Sequence, residues 1–123
     1  MKLPWFIKKL WLTDVLHPTT IHFLCEQDGE PERNFKTILI PIFKNHIGIQ
    51  RAYLARINYG NDAEENVALC IILESGKQQE LANELGKAFH NFFAKGQHID
   101  IIFINREQEN ALSEVCEPFY RAS

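Results

Sequence analysis

No stretch of this chain holds the ~20 consecutive apolar residues that a membrane-spanning helix needs. The opening run from Trp5 to Leu12 is cut by Lys8 and Lys9 and lacks a small-residue cleavage site after it, so it does not read as a secretory signal either. Cysteine is sparse. Cys25, Cys70 and Cys116 are far apart, form no CxxC pair and sit in apolar surroundings, as buried free thiols do. That usage points to a reducing, cytoplasmic compartment. An excess of positive charge is also missing. The formal net charge is −3, which argues against a nucleic-acid binder, because phosphate contacts require clustered Lys and Arg.

The motifs that carry chemistry are missing as well. His17, His22, His46, His90 and His98 show neither HxH nor HExxH spacing, so no metal is expected. Cys70 lies in the middle of an apolar run and Cys116 near a predicted helix C-terminus, where the helix dipole disfavours a thiolate. Gly76, Gly86 and Gly96 recur every ten residues and do not make a phosphate loop. The turn Glu74-Ser75-Gly76-Lys77 has one glycine and a capping serine, so it offers no phosphate cradle. Without a nucleophile–base pair or a metal set, no enzyme and no cofactor are expected.

What is present is a legible core. At 123 residues with 46% hydrophobic and 24% charged composition, the chain has the proportions of one soluble domain. Residues 1–19 read as an aromatic and basic arm. Trp5, Phe6, Ile7, Leu10, Trp11 and Leu12 surround Lys8 and Lys9, and no acid occurs before Asp14. Such an arm suits packing on the domain or on a twin subunit, or contact with a membrane surface.

Residues 20–123 read as a single α+β domain. Thr20 to Cys25 is a first strand, and Gln27 to Arg33, with Gly29 and Pro31, a loop. Phe35, Ile38, Leu39, Ile42, Phe43 and His46 have helical spacing, opposed by Pro41, so this segment is a kinked or late-starting helix or else a proline-interrupted strand. Ile49 to Tyr59 is a strand with one buried face, placed at a sheet edge. Ile49, Tyr53, Ala55, Ile57 and Tyr59 occupy one face, and Gln50, Ala52, Leu54, Arg56 and Asn58 the other. Val67 to Leu73 is apolar on both faces, as a central strand is, and the short connection makes the two an antiparallel hairpin.

A helix follows from Gly76 to Lys95, with Ser75 and Gln78 at capping-box spacing, and then a strand from Ile99 to Ile104. Asn105 and Gln108 repeat the capping spacing before a terminal helix with Ala111, Leu112, Val115 and Cys116 on one side. Pro118 ends it, leaving Phe119-Tyr120 as an apolar tail. The order predicts a ferredoxin-like βαββαβ fold with an added C-terminal helix, in which the first and third strands are central.

Two strings stand out: Arg51-Ala52-Tyr53-Leu54-Ala55-Arg56 and Glu117-Pro118-Phe119-Tyr120. With the Ala82 to Gly96 helix and Gln97-His98-Ile99-Asp100-Ile101-Ile102, they resemble the C-terminal domain of the enhanced serine sensitivity protein SseB over about residues 20–120. Members of that family usually carry a separate N-terminal domain, and here the Trp-rich arm stands in that place. The family name implies a link to serine tolerance, and the resemblance brings no catalytic residues with it.

The candidate interaction surface comprises Trp5, Phe6, Trp11, Arg51, Tyr53, Arg56, Tyr59, Phe119 and Tyr120, because Tyr and Arg combine contact area with directional hydrogen bonds. The ordinary alternative places Tyr53 and Tyr59 in the core and leaves the arginines solvated. The leading functional expectation is a protein-interaction module, with a homodimer or another protein as partner. The alternatives are a regulatory domain binding an amino-acid-type ligand and an immunity-type protein that masks a toxin.

Overall fold

The computed structural model describes residues 21–59, 65–74, 78–93 and 99–122. The arm, with Trp5, Phe6 and Trp11, lies outside the described residues, as do Ser75 and its expected cap. The described elements are β1 (His22–Glu26), α1 (Glu30–Lys44), β2 (Ile49–Asn58), β3 (Asn66–Leu73), α2 (Gln78–Phe92), β4 (Asp100–Phe103), α3 (Arg106–Leu112) and β5 (Tyr120–Arg121).

The sheet runs β1-β2-β3-β4, with β5 also paired to β2. The β2–β3 hairpin is antiparallel as expected, and β3 and β4 are parallel neighbours connected through α2. The class is therefore α+β, but the ferredoxin-like order is not observed. The second and third strands are central, and the first is at the edge. The reason lies in the length of β1. Its five residues pair with β2 only over Ala55–Asn58. The fifteen residues of α1, about 22 Å long, then advance to the start of β2, with Lys36 beside Glu26 and Phe43 beside Tyr120. The chain returns antiparallel against its own first strand and never crosses over it.

β1 leaves the first half of β2 open on that edge, and the chain terminus fills it. Arg121 and Tyr120 pair with Arg51 and Ala52, while the Phe119 N–H donates to the Ala52 carbonyl and the Ala122 N–H to that of Gln50. The expected apolar tail is thus a fifth strand. With β1 on one side and β3 on the other, β2 is an interior strand, which corrects its placement at an edge.

Two clusters sandwich the sheet. Phe35, Leu39 and Phe43 of α1 and Leu81, Leu85 and Phe89 of α2 pack on Ala52, Leu54, Leu69, Ile71 and Ile101. On the second face Leu112 and Cys116 join Tyr53, Ala55, Ile57, Cys70 and Ile102. Ile49 belongs to the first cluster and not beside Tyr53, because the register shifts between Ile49 and Arg51. An extra residue in a strand flips every side chain beyond it.

Helix limits also moved. α1 begins at Glu30, inside the expected loop, because Pro31 falls in the first turn, where its missing N–H costs nothing. Pro41 is accommodated inside the helix and faces outward. α3 ends at Leu112, so Val115 and Ala111 are exposed while Glu109, Leu112 and Cys116 are buried.

Candidate interaction site

The distinctive Arg51-to-Arg56 string divides by strand alternation. Arg51 and Tyr53 project onto the second face, where α3 lies across them. The Arg51 guanidinium donates through both Nε and an Nη to the two carboxylate oxygens of Glu109, the Nη contact being 2.9 Å. The Tyr53 hydroxyl donates to Glu109 at 2.6 Å. Glu109 is only 9% exposed and Tyr53 only 3%. A carboxylate in such a place requires a matched cation and full hydrogen bonding. Hydrogen bonding from Arg51 holds the Glu109 carboxyl below the usual carboxylate range, and the same contact raises Arg51. Burial, reinforced by the bond to Glu109, pushes Tyr53 up to about 12. Both oxygens of Glu109 are engaged, so the trio fastens α3 to the sheet.

The other expected residues do not join one surface. Arg56 is exposed on the opposite face, donating to Gln27 at 3.0 Å and to Glu65 at 3.4 Å. Tyr59 is half-buried and donates to Asp100, and burial first, then that carboxylate, raises its hydroxyl far above the ordinary value. Phe119 and Tyr120 pack on Phe43 with ring centroids 5.8 and 5.2 Å away, and Lys36 sits 5.7 Å over the Phe119 ring. These rings therefore complete the core on that side.

The exposed feature lies where β1 gives way to β5. Residues 113–118 bridge the junction, with Cys116 Sγ 3.6 Å from the Leu54 carbonyl. They line an open groove of about 510 Å³ together with Glu26 and Arg121. Its walls carry Glu26, Glu114 and Glu117 against the single guanidinium of Arg121, and Val115 is 39% exposed beside them. Glu26 is partly neutralised by Lys36 at 3.2 Å. Burial pushes the Cys116 thiol up to about 12 and raises that of Cys70 further, so both are held protonated. All three cysteines are free, and Cys25 alone is exposed.

Sequence reasoning missed Glu109, Asp100 and the groove. Glu109 had a signal. It lies three residues before Leu112 and seven before Cys116, which places it on the inward face of α3. Asp100 and the groove had none, since each is assembled from segments far apart in the chain.

A mixed sheet with two helices on one face and a short third helix ion-paired to the other defines a small α+β scaffold. The family model for the SseB protein C-terminal domain matches residues 23–121, and the chain belongs to that family. Comparison with curated proteins and with solved structures found no match.

Proposed function

We propose that this domain is a non-enzymatic interaction module that takes an extended, cationic segment of a partner protein along β1 and into the groove at its end. The observation that carries this reading is the exposed edge. β1 is outermost and pairs with β2 alone among the described strands, and its Glu26 end opens onto Glu114 and Glu117. An edge strand presents unpaired N–H and C=O groups, and proteins that avoid pairing place Lys or Pro there. β1, His-Phe-Leu-Cys-Glu, has neither. Addition of a strand supplies main-chain hydrogen bonds, and the carboxylates supply preference for a basic sequence. The partner is another protein or a second copy of this chain, in a reducing compartment that suits three free thiols.

The enzymatic reading is weakened by the engagement of Glu109 and by the protonated thiols. An amino-acid ligand is not favoured either. The cavity of about 100 Å³ lined by Phe35, Leu54, Val67, Phe89, Phe93 and Ile99 has Glu32 as its one charged residue, and this supplies no cation for an α-carboxylate.

The test is affinity capture from the native host with the full chain as bait, beside Cys25→Lys and the double variant Glu114→Lys/Glu117→Lys. The expected result is a specific partner retained by the parent chain and lost from both variants, with unchanged circular dichroism. Capture of nothing, or of a set indifferent to both variants, overturns the reading. Sedimentation of the purified chain separates a self-partner from a foreign one.

A further inference from the structure

A helix on the surface of a domain ordinarily turns its apolar stripe to the core and its charges to water. α1 keeps only the first half of that rule. Phe35, Leu39 and Phe43 are its buried side, packed in the core of the first face. A second stripe runs along the outer side through Pro31, Asn34, Ile38, Pro41 and Asn45, and it carries no charge. All of these residues are exposed, Ile38 by 41%, and the half-buried Ile42 borders them. Their spacing alternates between three and four residues. That is the spacing of a coiled-coil seam, which holds one line of side chains on one side of a helix.

Ile38 is the midpoint of the stripe, seven residues from Pro31 and seven from Asn45. A second copy of the helix can therefore meet it isologously, Ile38 against Ile38. Charge selects the direction. Glu30 in the first turn, Thr37 and Lys44 in the last turn recur every seven residues, so they line one flank of the stripe. Within one helix Glu30 and Lys44 are about 21 Å apart and cannot pair. In an antiparallel pair centred on Ile38, Glu30 of each copy comes beside Lys44 of the other, which makes two identical ion pairs. A parallel pair would set Glu30 against Glu30 and Lys44 against Lys44. The opposed helix dipoles favour the antiparallel arrangement as well.

We infer that the outer stripe of α1 is a self-association surface, on which a second copy of this chain lays its own α1 antiparallel. A single helix pair buries less than the roughly 1,200 Å² of a standard interface, so the dimer is weak and forms in concentrated solution. It uses none of the residues assigned to the β1 edge or the groove, and it does not depend on that reading.

Sedimentation equilibrium of the full chain over a hundredfold range of concentration is the test. The average mass is expected to rise from 14.3 kDa toward twice that value. Ile38→Asp and Pro41→Lys are each expected to stay monomeric throughout. Both positions are exposed, so circular dichroism and the cooperative melt should persist, and Pro41→Lys also returns an N–H to the helix interior. Cys25→Lys is expected to associate like the parent, which tells this surface from the β1 edge. Glu30→Lys alone and Lys44→Glu alone should each associate about tenfold more weakly, because two ion pairs become two repulsions. An equimolar mixture of these two variants restores both ion pairs and should associate as the parent does. A parent chain that is monomeric at the highest concentration overturns the proposal. So does association kept by Ile38→Asp or Pro41→Lys, or lost in Cys25→Lys. A mixture no stronger than the two charge variants alone overturns the antiparallel pairing.

Discussion

Glu109 shows how one buried carboxylate organises its neighbourhood. Its charge is matched by Arg51 and its remaining acceptor capacity by Tyr53. Replacing it by Gln keeps the shape and leaves Arg51 without a counterion, at an expected cost of about 1.5–3 kcal/mol. Urea unfolding at pH 7 measures this. The folded chain holds the Glu109 carboxyl below its ordinary range, and the unfolded chain returns it there. Its contribution is therefore complete above the ordinary Glu value of about 4.3 and is lost as pH falls through the folded value. The stability gap between the parent and Glu109→Gln should narrow accordingly below about pH 4. Tyr53 acts at the other end. Its hydroxyl is raised to about 12, so the stabilisation it provides is full below pH ~10 and disappears as pH rises through the folded value.

The cysteines give a second residue-scale test. A thiol reagent should modify one group, Cys25, rapidly in the native chain. Cys70 and Cys116 should react only on unfolding, because burial keeps their thiols protonated and covered. Fast modification of two or three groups would contradict the assigned burial.

Among the elements, α3 is the most exposed to single changes, being short and held at its two ends. The Asn105 side chain accepts from the Gln108 N–H at 2.8 Å, and the Gln108 side chain accepts from the Asn105 N–H at 3.0 Å. Asn105→Ala should cost about 1 kcal/mol, lowering the melting midpoint by about 4–8 °C. β5 is a two-residue strand whose rings contact Phe43. Ending the chain at Glu117 should remove about 2–4 kcal/mol, combining lost ring burial with carbonyls left unpaired at Gln50 and Ala52. Thermal denaturation of the truncated chain checks this. If the terminus were a loose tail, the midpoint would not move.

These elements also show which local signals are dependable. The capping box before α3 was legible because it needs only two residues at a fixed spacing. The hairpin of β2 and β3 was legible because the turn between them is short and polar. The N-terminus of α1 was misread because Pro31 reads as a breaker, and only its position in the first turn makes it compatible with the helix. The face of Ile49 was misread because a bulge leaves no mark on the apolar alternation.

Across the whole molecule, the sheet is closed along one edge by two short strands placed end to end, β1 and β5. The exposed groove lies at their junction, and there the proposed partner would meet the domain.

Residue order alone determined the β2–β3 hairpin, the strand-helix-strand run from β3 to β4, the two-sided burial of Val67 to Leu73 and the family. These depend on local spacing, caps and short strings, all carried by neighbours in the chain. Tertiary structure alone decided that β2 is interior, that the terminus is a strand, and that Arg51 and Tyr53 serve Glu109 and not a partner. Each of these is a pairing between distant segments, 29 to 36 residues apart for β1 on β2 and 56 to 70 for the others. Such pairings follow from how much of β2 the five residues of β1 can cover, a length relation that no local pattern encodes.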